Sequence, residues 1–433
     1  MSTENTPPKG RRLKVDEQVN LVVSAFAARD IQIGVEWLEN GDLGFAYQQQ
    51  VILVRDAYLD RISGVVGGGG PVDGLIDGVT VYSLAGAEIA GVIDALAEID
   101  RQLGVGVATP NHVLSVCPAA MCPATEPEEP PRGGPEPGIC EGRGGAGGFV
   151  YVIDTGLLGD AANHPWLVGV TGDPDLFQAP DIPPYTGHGT FVAGVARCMA
   201  PAAEIHVANL LYFAGAQLEH EIVRQLDDAL SRGPDIISLS AGATSRNDVP
   251  PLGFEALWQR YRHYKGVQLV AAAGNNGDRR PFWPAAFPQV VSVGALAANW
   301  RSRASFSDFG GWVDVYAPGE GLVNAYATGR YLCHEPPNTG QVRDFHGMAR
   351  WSGTSFSTPL VSGLIAARMS RTGENSRRAA DALLEMARAQ ARPGVGPVLY
   401  PCADGDDGHR DCHGHHRHHG GGHHRDGGCH CCS

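Results

Sequence analysis

The stretch Phe149-Val150-Tyr151-Val152-Ile153-Asp154-Thr155-Gly156 joins five apolar residues to an Asp-Thr-Gly ending. Its apolar residues do not alternate with polar ones, which predicts a strand buried on both faces, as strands of parallel sheets are. In open parallel sheets, functional side chains gather at the carboxyl ends of the strands. Asp154 lies at such an end and is therefore a candidate site residue, and Gly156 permits a tight turn behind it.

Short apolar runs and helical segments alternate downstream of this strand. Further strands are predicted at 205–211, 236–240, 267–273 and 290–293, and helices at 191–199, 219–230 and 376–391. Alternation of this kind predicts an α/β fold with a parallel sheet flanked by helices. We assign this domain to residues 149–400.

A smaller unit is predicted at residues 21–117, after a polar stretch 1–20 that we expect to be disordered. Strands are indicated at 50–55 and 79–84, and apolar residues recur at helical spacing between Ile89 and Leu103. Residues 105–116 are extended again, with Pro110 among them. The pattern predicts a small α+β domain.

Two segments of biased composition complete the chain. Residues 118–148 carry six prolines between Pro123 and Pro137, interleaved with glutamates, and are expected to form an exposed, extended linker that is easily cut. Residues 401–433 form a tail with nine histidines and four cysteines from His409 onward, which cannot build a core.

Bulk composition excludes several classes of protein. The 433 residues carry a formal charge of −14 without a block of basic residues, so no nucleic-acid partner is expected. No apolar run approaches the length of a membrane span, and the N-terminus lacks the pattern of a signal peptide. Only Cys198 and Cys333 lie between the linker and the tail. We expect a cytoplasmic protein, or one exported by a non-classical route.

Three further polar residues lie at predicted element ends, each with glycine beside it. His188 opens a helix, Asn275 follows the strand that ends at residue 273, and Ser355 precedes a helix. A nucleophilic serine needs a base, an acid that orients the base, and donors for the oxyanion. Asp154, His188, Asn275 and Ser355 are the residue types that this chemistry uses.

With these motifs the chain resembles the subtilisin-like serine protease family, the subtilases, across about residues 148–370. The resemblance is carried by Asp-Thr-Gly at Asp154, His-Gly-Thr at His188, Ala-Ala-Gly-Asn at Asn275 and Gly-Thr-Ser-x-x-x-Pro at Ser355, in the acid–His–Ser order of subtilisin. Three neighbours of the serine depart from the family's usual residues and bear on packing near the site, namely Phe356, Ser357 and Leu360.

The resemblance implies a serine endopeptidase that forms an acyl-enzyme on Ser355, with His188 as base, Asp154 orienting it, and Asn275 as oxyanion donor. It implies that Ser240, Ala241 and Gly242 pair with the backbone of a peptide or protein substrate. No cofactor is then required for catalysis, although structural Ca²⁺ is common in the family. The domain at 21–117 resembles a propeptide, which implies a self-processed zymogen, cut within 117–148, with an intramolecular inhibitor.

Other interpretations remain open from the sequence. In one, the cleft is a catalytically silent peptide-binding module; in another, the N-terminal domain is an unrelated interaction domain. The tail could instead make the chain a metal-handling protein, or bind Zn²⁺ or Ni²⁺ adventitiously. The candidate ligands are His413, His415, His416, Cys429, Cys431 and Cys432.

Overall fold

The computed structural model describes residues 9–116, 125–131, 137–140, 147–263 and 266–401, with side chains from Asp16 onward. The tail beyond Pro401 and its six candidate metal ligands lie outside the described residues. In the described part, no helix has the length and apolar character needed to cross a bilayer. Cys140 is disulfide-bonded, whereas Cys198 and Cys333 are buried free thiols.

The N-terminal region is built around an antiparallel sheet in which β2 pairs with β1, β4 and β5, and β3 pairs with β4. The helices at 59–66 and 92–103 cover one face, where Ile52, Leu96 and Ile99 are buried together. Its elements are α1 (Lys9–Ala27), β1 (Ile33–Trp37), β2 (Leu43–Arg55), α2 (Leu59–Val66), β3 (Gly70–Ile76), β4 (Val79–Ser83), α3 (Val92–Leu103) and β5 (Ala108–Ser115).

Helix α1 corrects the expectation that residues 1–20 are disordered, since the helix begins at Lys9. Tertiary packing explains the difference. Val22 and Phe26 are buried, and the Phe26 ring stacks on Phe213 of the following region with centroids 4.1 Å apart. A polar stretch without strong periodicity becomes helical because its last two turns have an apolar partner.

The second region contains the predicted strand and helix alternation, with additional elements. They are β6 (Phe149–Asp154), β7 (Thr171–Gly172), β8 (Asp181–Ile182), α4 (His188–Met199), β9 (Glu204–Asn209), β10 (Ala216–Leu218), α5 (Glu219–Ser231), β11 (Ile236–Leu239), α6 (Leu252–Tyr261), β12 (Gln268–Ala272), β13 (Val291–Leu296), β14 (Val315–Pro318), β15 (Leu322–Leu332), β16 (Val342–Trp351), α7 (Thr354–Thr372) and α8 (Ser376–Ala389).

The main sheet has the strand order β14-β13-β12-β11-β6-β9-β7, and all its pairs are parallel. Strand β6 lies inside it and is buried on both faces. Val150 and Val152 belong to the core that contains α4 and α7, whereas Tyr151 and Ile153 belong to the core that contains α5 and α6. The predicted α/β class, with a parallel sheet flanked by helices and a small α+β region before it, is confirmed.

A long hairpin, β15–β16, was not predicted. Its strands pair antiparallel from Leu322 opposite Trp351 to Leu332 opposite Val342, and β8 adds to β15 in parallel. The hairpin ends immediately before the turn that carries Ser355. The linker also differs from its prediction, because Glu126 and Pro127 are buried against this hairpin rather than exposed.

Strand β5 joins the two regions. Val113–Ser115 pair antiparallel with β10, and Ser115 forms a second antiparallel bridge with Gly242. The end of β5 therefore lies between two backbone segments of the second region, which satisfy its hydrogen bonds on both edges. The antiparallel sheet of the first region thus continues into the second.

A buried hydrogen bond fastens β5 to α5. His112 Nδ1 lies 2.8 Å from Glu219 Oε2, and both side chains are at most 1% exposed. The other carboxylate oxygen of Glu219 accepts from the Gly253 N–H at 2.8 Å. Because Gly253 lies in the first turn of α6, one carboxylate holds β5, α5 and α6 together.

We expect Glu219→Ala to lower the free energy of unfolding by about 2–6 kcal/mol, because two buried donors, His112 Nδ1 and the Gly253 N–H, each lose an acceptor at a cost of about 1–3 kcal/mol. Urea unfolding followed by circular dichroism measures this loss. The control is Glu221→Ala on the same helix, where a partly exposed ion pair with Arg224 contributes about 1 kcal/mol or less. Equal losses of unfolding free energy in the two variants would show that Glu219 does not hold the three elements together.

Candidate active site

Asp154 is the last residue of β6, and its side chain is fully buried. Oδ1 accepts from the Thr155 N–H at 2.8 Å and from His188 Nδ1 at 2.7 Å. Oδ2 is also buried, without a hydrogen-bond partner among the described residues. A buried carboxylate is stable only with such donors, so Asp154 fixes both its own turn and His188.

His188 is the first residue of α4, and Gly187 before it has φ of +82°. That left-handed conformation suits glycine, and a side chain there would contact the Tyr326 ring. With Nδ1 donating to Asp154, the proton is on Nδ1 and Nε2 is the acceptor in the neutral ring. Nε2 is buried and has no hydrogen-bond partner among the described residues.

Ser355 lies in the first turn of α7 and is 1% exposed. Its Oγ donates to the Ser240 carbonyl at 3.3 Å, and Ser240 Oγ donates to the Ser355 carbonyl at 2.9 Å. The His188 ring contacts residues on both sides of the serine, with centroid distances of 5.4 Å to Trp351 and 5.3 Å to Phe356. The structure therefore brings Asp154, His188 and the Ser355 turn together.

Asn275 follows β12 and is fully buried beside that turn. Its Oδ1 accepts from the Thr354 N–H at 2.9 Å and from Thr354 Oγ1 at 3.0 Å. Thr354 Oγ1 also accepts from the Gly274 N–H at 3.2 Å. Because the carboxamide oxygen is held by Thr354, the side chain is oriented with its NH₂ group as the donor end.

The predicted substrate-binding residues line the same place. Ser240 is joined to Ser355 by the two hydrogen bonds above, and Ala241 is buried next to it. Gly242 exchanges both backbone hydrogen bonds with Ser115, at 3.0 and 3.1 Å. The backbone edge expected to pair with a substrate is thus paired with the chain's own strand β5.

Asp175 was not predicted as a site residue, because no motif marks it. It is 9% exposed, and its Oδ2 accepts from the Gly187 N–H at 2.7 Å and from Thr155 Oγ1 at 3.1 Å. Thr155 Oγ1 in turn accepts from the Gly189 N–H at 3.0 Å. The backbone on both sides of His188 is therefore held by this carboxylate, directly or through Thr155.

A second buried carboxylate supports the Asn275 loop. Asp308 is fully buried and accepts from Asn276 Nδ2 at 3.0 Å and from the Asp278 N–H at 3.1 Å. Burial, and then the charge of Asp278, raise the pKa of Asp308 well above its usual range. Sequence inspection missed this residue because its partners come from a loop on another strand end.

A metal site in a protein brings several acidic, histidine or cysteine side chains together. Within the described ranges, no group of three or more such residues is arranged to hold an ion. The calcium expected from the family resemblance stays a prediction.

Comparison with known proteins gives one family. A family model described as the subtilase family matches residues 145–409, more than half of the chain. Thermitase of Thermoactinomyces vulgaris is 31% identical over 249 residues, which cover 54% of this chain and 80% of thermitase. The thermophilic serine proteinase of Bacillus sp. (strain AK1) is 32% identical over 246 residues, which cover 54% of this chain and 55% of that protein.

Solved structures were compared as well. A cold adapted subtilisin-like serine proteinase aligns with a TM-score of 0.44 and 25% identity, covering 59% of this chain and 89% of that chain.

The ionisation of Asp175 makes the free energy of unfolding depend on pH. Burial, despite its two hydrogen bonds, raises the pKa of Asp175 from 3.8 to about 6. The folded protein therefore binds this proton more tightly than the unfolded chain does. The contribution of Asp175 to the free energy of unfolding is complete below about pH 4 and is lost as the pH rises through about 6. Asp175→Asn removes the titration and keeps an acceptor for the Gly187 N–H.

We expect the free energy of unfolding of Asp175→Asn, taken relative to that of wild type, to be higher at about pH 7 than at about pH 4. Urea unfolding of both proteins at the two pH values measures this difference. Asp181→Asn, at an exposed carboxylate of the same connecting segment, serves as the control and should show no such change. A difference that stays constant with pH would show that Asp175 does not titrate in this range.

Proposed function

Because the chain belongs to the subtilase family of serine endopeptidases, we propose that it hydrolyses peptide bonds through Asp154, His188 and Ser355. One observation carries the proposal. His188 Nδ1 is bound to the buried Asp154 at 2.7 Å, while Nε2 has no hydrogen-bond partner among the described residues. A base oriented by an acid, beside a serine turn, is the arrangement that acyl transfer requires.

The reaction follows from these positions. Ser355 Oγ attacks the carbonyl carbon of the peptide while its proton passes to His188 Nε2, and Asp154 stabilises the imidazolium that forms. His188 then gives the proton to the leaving amine as the C–N bond breaks. Water, deprotonated by His188, hydrolyses the ester on Ser355. For the first step the Ser355 hydroxyl, which donates to the Ser240 carbonyl at 3.3 Å, must hydrogen-bond to His188 Nε2 instead.

The oxyanion of the tetrahedral intermediate needs preorganised donors. Asn275 suits this role because Thr354 holds its carboxamide oxygen and thereby orients its NH₂ group. The Ser355 N–H lies in the first turn of α7, where backbone N–H groups and the helix dipole favour negative charge. Both donors are attached to the same turn as the nucleophile.

The N-terminal region is proposed to act as an intramolecular inhibitor. Ser115 exchanges backbone hydrogen bonds with Gly242, and the Val116 N–H donates to the Gly215 carbonyl at 2.8 Å. An extended strand added between two edges in this way occupies the path that a substrate peptide would take. Self-processing between 117 and 148 remains a prediction, because most of that stretch lies outside the described residues.

Intact mass spectrometry with a fluorophosphonate probe tests the proposal. We expect one adduct on wild type and none on Ser355→Ala, because only an activated serine reacts. Ser302→Ala, at an exposed loop serine, should be labelled like wild type. Absence of an adduct on protein freed of its N-terminal region would favour a catalytically silent peptide-binding module.

Kinetics of two variants test the assigned roles. Ser355→Ala should lower kcat by on the order of 10⁶. Asn275→Ala should lower kcat by about 10²–10³ with little change in KM, because its donor acts on the transition state. Hydrolysis of a peptide with a chromogenic leaving group measures both. Asn299→Ala in an exposed loop is the control, and a silent Asn275→Ala would refute the oxyanion assignment.

A further inference from the structure

The linker residues 125–129, here called the Glu126 segment, bind the hairpin β15–β16 and form one antiparallel bridge with its second strand. Glu128 and Arg350 exchange both backbone hydrogen bonds, at 2.9 and 2.8 Å, in antiparallel register. Their side chains also form an ion pair. The segment therefore uses the outer edge of β16 as a binding surface.

The Glu126 side chain fills a built site within the hairpin. It is 6% exposed, and its Oε1 accepts from Tyr331 Oη at 3.1 Å and from the His334 N–H at 2.6 Å. Burial, and then the nearby carboxylate of Glu126, raise the pKa of Tyr331 well above its usual range and that of Cys333 to about 11. A buried glutamate with oriented donors is a specific contact, because an unpaired one would be costly.

Contacts on either side of Glu126 hold the rest of the segment. Trp351 Nε1 donates to the Thr125 carbonyl at 2.6 Å, and Arg343 Nη1 donates to the Pro127 carbonyl at 2.5 Å. The Asp344 N–H donates to Glu129 Oε1 at 3.1 Å. Every residue of the segment is thus bound by β15–β16 or by the turn that connects them.

The segment and β5 contact different residues near Ser355. Strand β5 ends against Gly242, on the edge expected to bind the acyl part of a substrate. The first residue of the Glu126 segment, Thr125, binds Trp351, whose ring centroid lies 5.4 Å from that of His188. Because His188 protonates the leaving amine, the surface beside its ring is where the amine half of a cleaved peptide would leave.

We propose that β15–β16 carries a subsite for the glutamate side chain of an extended peptide on the leaving-group side of the scissile bond, and that the Glu126 segment occupies it. This proposal rests on the proposed function. It implies that the segment stays bound after a cut upstream of Thr125 and restricts substrates that extend past the scissile bond.

Hydrogen exchange on the full chain tests the binding. Glu126→Ala should raise exchange of the Arg350 amide by about tenfold or more, because the loss of a charged acceptor releases the segment. Glu126→Gln, which keeps an acceptor without the charge, should fall between this variant and wild type. Glu39→Ala, at an exposed glutamate in the turn between β1 and β2, is the control and should exchange like wild type. Unchanged exchange in Glu126→Ala would refute the subsite.

Two substrates test the position of the subsite. One ends in a small chromogenic leaving group, and the other extends about ten residues past the scissile bond. Glu126→Ala should raise kcat/KM about tenfold for the extended substrate only. Acetylated Thr-Glu-Pro-Glu-Glu added to this variant should reverse the gain, and Thr-Gln-Pro-Glu-Glu should do so more weakly.

The outcomes separate this proposal from the one on which it rests. The informative quantity is the ratio of kcat/KM for the extended substrate to kcat/KM for the short one. If this ratio is the same in Glu126→Ala and wild type, and Ser355 takes the fluorophosphonate probe, the subsite is refuted and the protease assignment stays intact. Equal competition by the two peptides would also refute recognition of the glutamate. Protein that never takes the probe would refute the protease, while exchange at Arg350 would still decide whether Glu126 anchors the segment.

Discussion

The buried carboxylate of Asp154 is the constraint on which the site depends. A charge without solvent must be matched by donors, and here they are the Thr155 N–H and His188 Nδ1. The first comes from the turn after β6 and the second from the start of α4, so strand, turn and helix are fixed together. Asp175 adds a second carboxylate to the same place and holds the backbone around His188. The Ser355 turn then packs against His188 through aromatic contacts.

The parallel sheet could be predicted because its signal is local. Runs such as 149–153 are apolar throughout, which only a strand covered on both faces requires. The hairpin β15–β16 could not be predicted, because its strands carry exposed polar residues toward the tip and neither strand is a continuous apolar run. Helix α1 was missed for another reason, since its order depends on Phe213, far along the chain.

The same distinction separates the site residues. Asp154, His188, Asn275 and Ser355 were found because each follows or opens an element and carries glycine beside it, a feature visible within a few residues. Asp175 and Glu126 could not be predicted, because what distinguishes them is the set of hydrogen-bond donors around each carboxyl group, and these donors come from other parts of the chain. Glu126 meets Tyr331 and His334 more than 200 positions away, and among prolines and other acids it reads as an exposed linker residue. Burial of a lone carboxylate becomes apparent only when the donors around it are known.

Strand addition explains how one chain can bind two of its own segments near its reactive residues. Backbone hydrogen bonds to Gly242 on one side and to Arg350 on the other make little demand on sequence, so selectivity must come from side chains. The two sides differ in this respect. On the β5 side, Leu114 is fully buried in an apolar cluster, whereas on the β16 side the buried anchor is the anionic Glu126. An apolar contact tolerates many residues of similar size, but buried donors lose their acceptor when the side chain that they bind is replaced by one without an acceptor. The stricter requirement therefore lies at β16, where we propose that the amine half of a substrate binds.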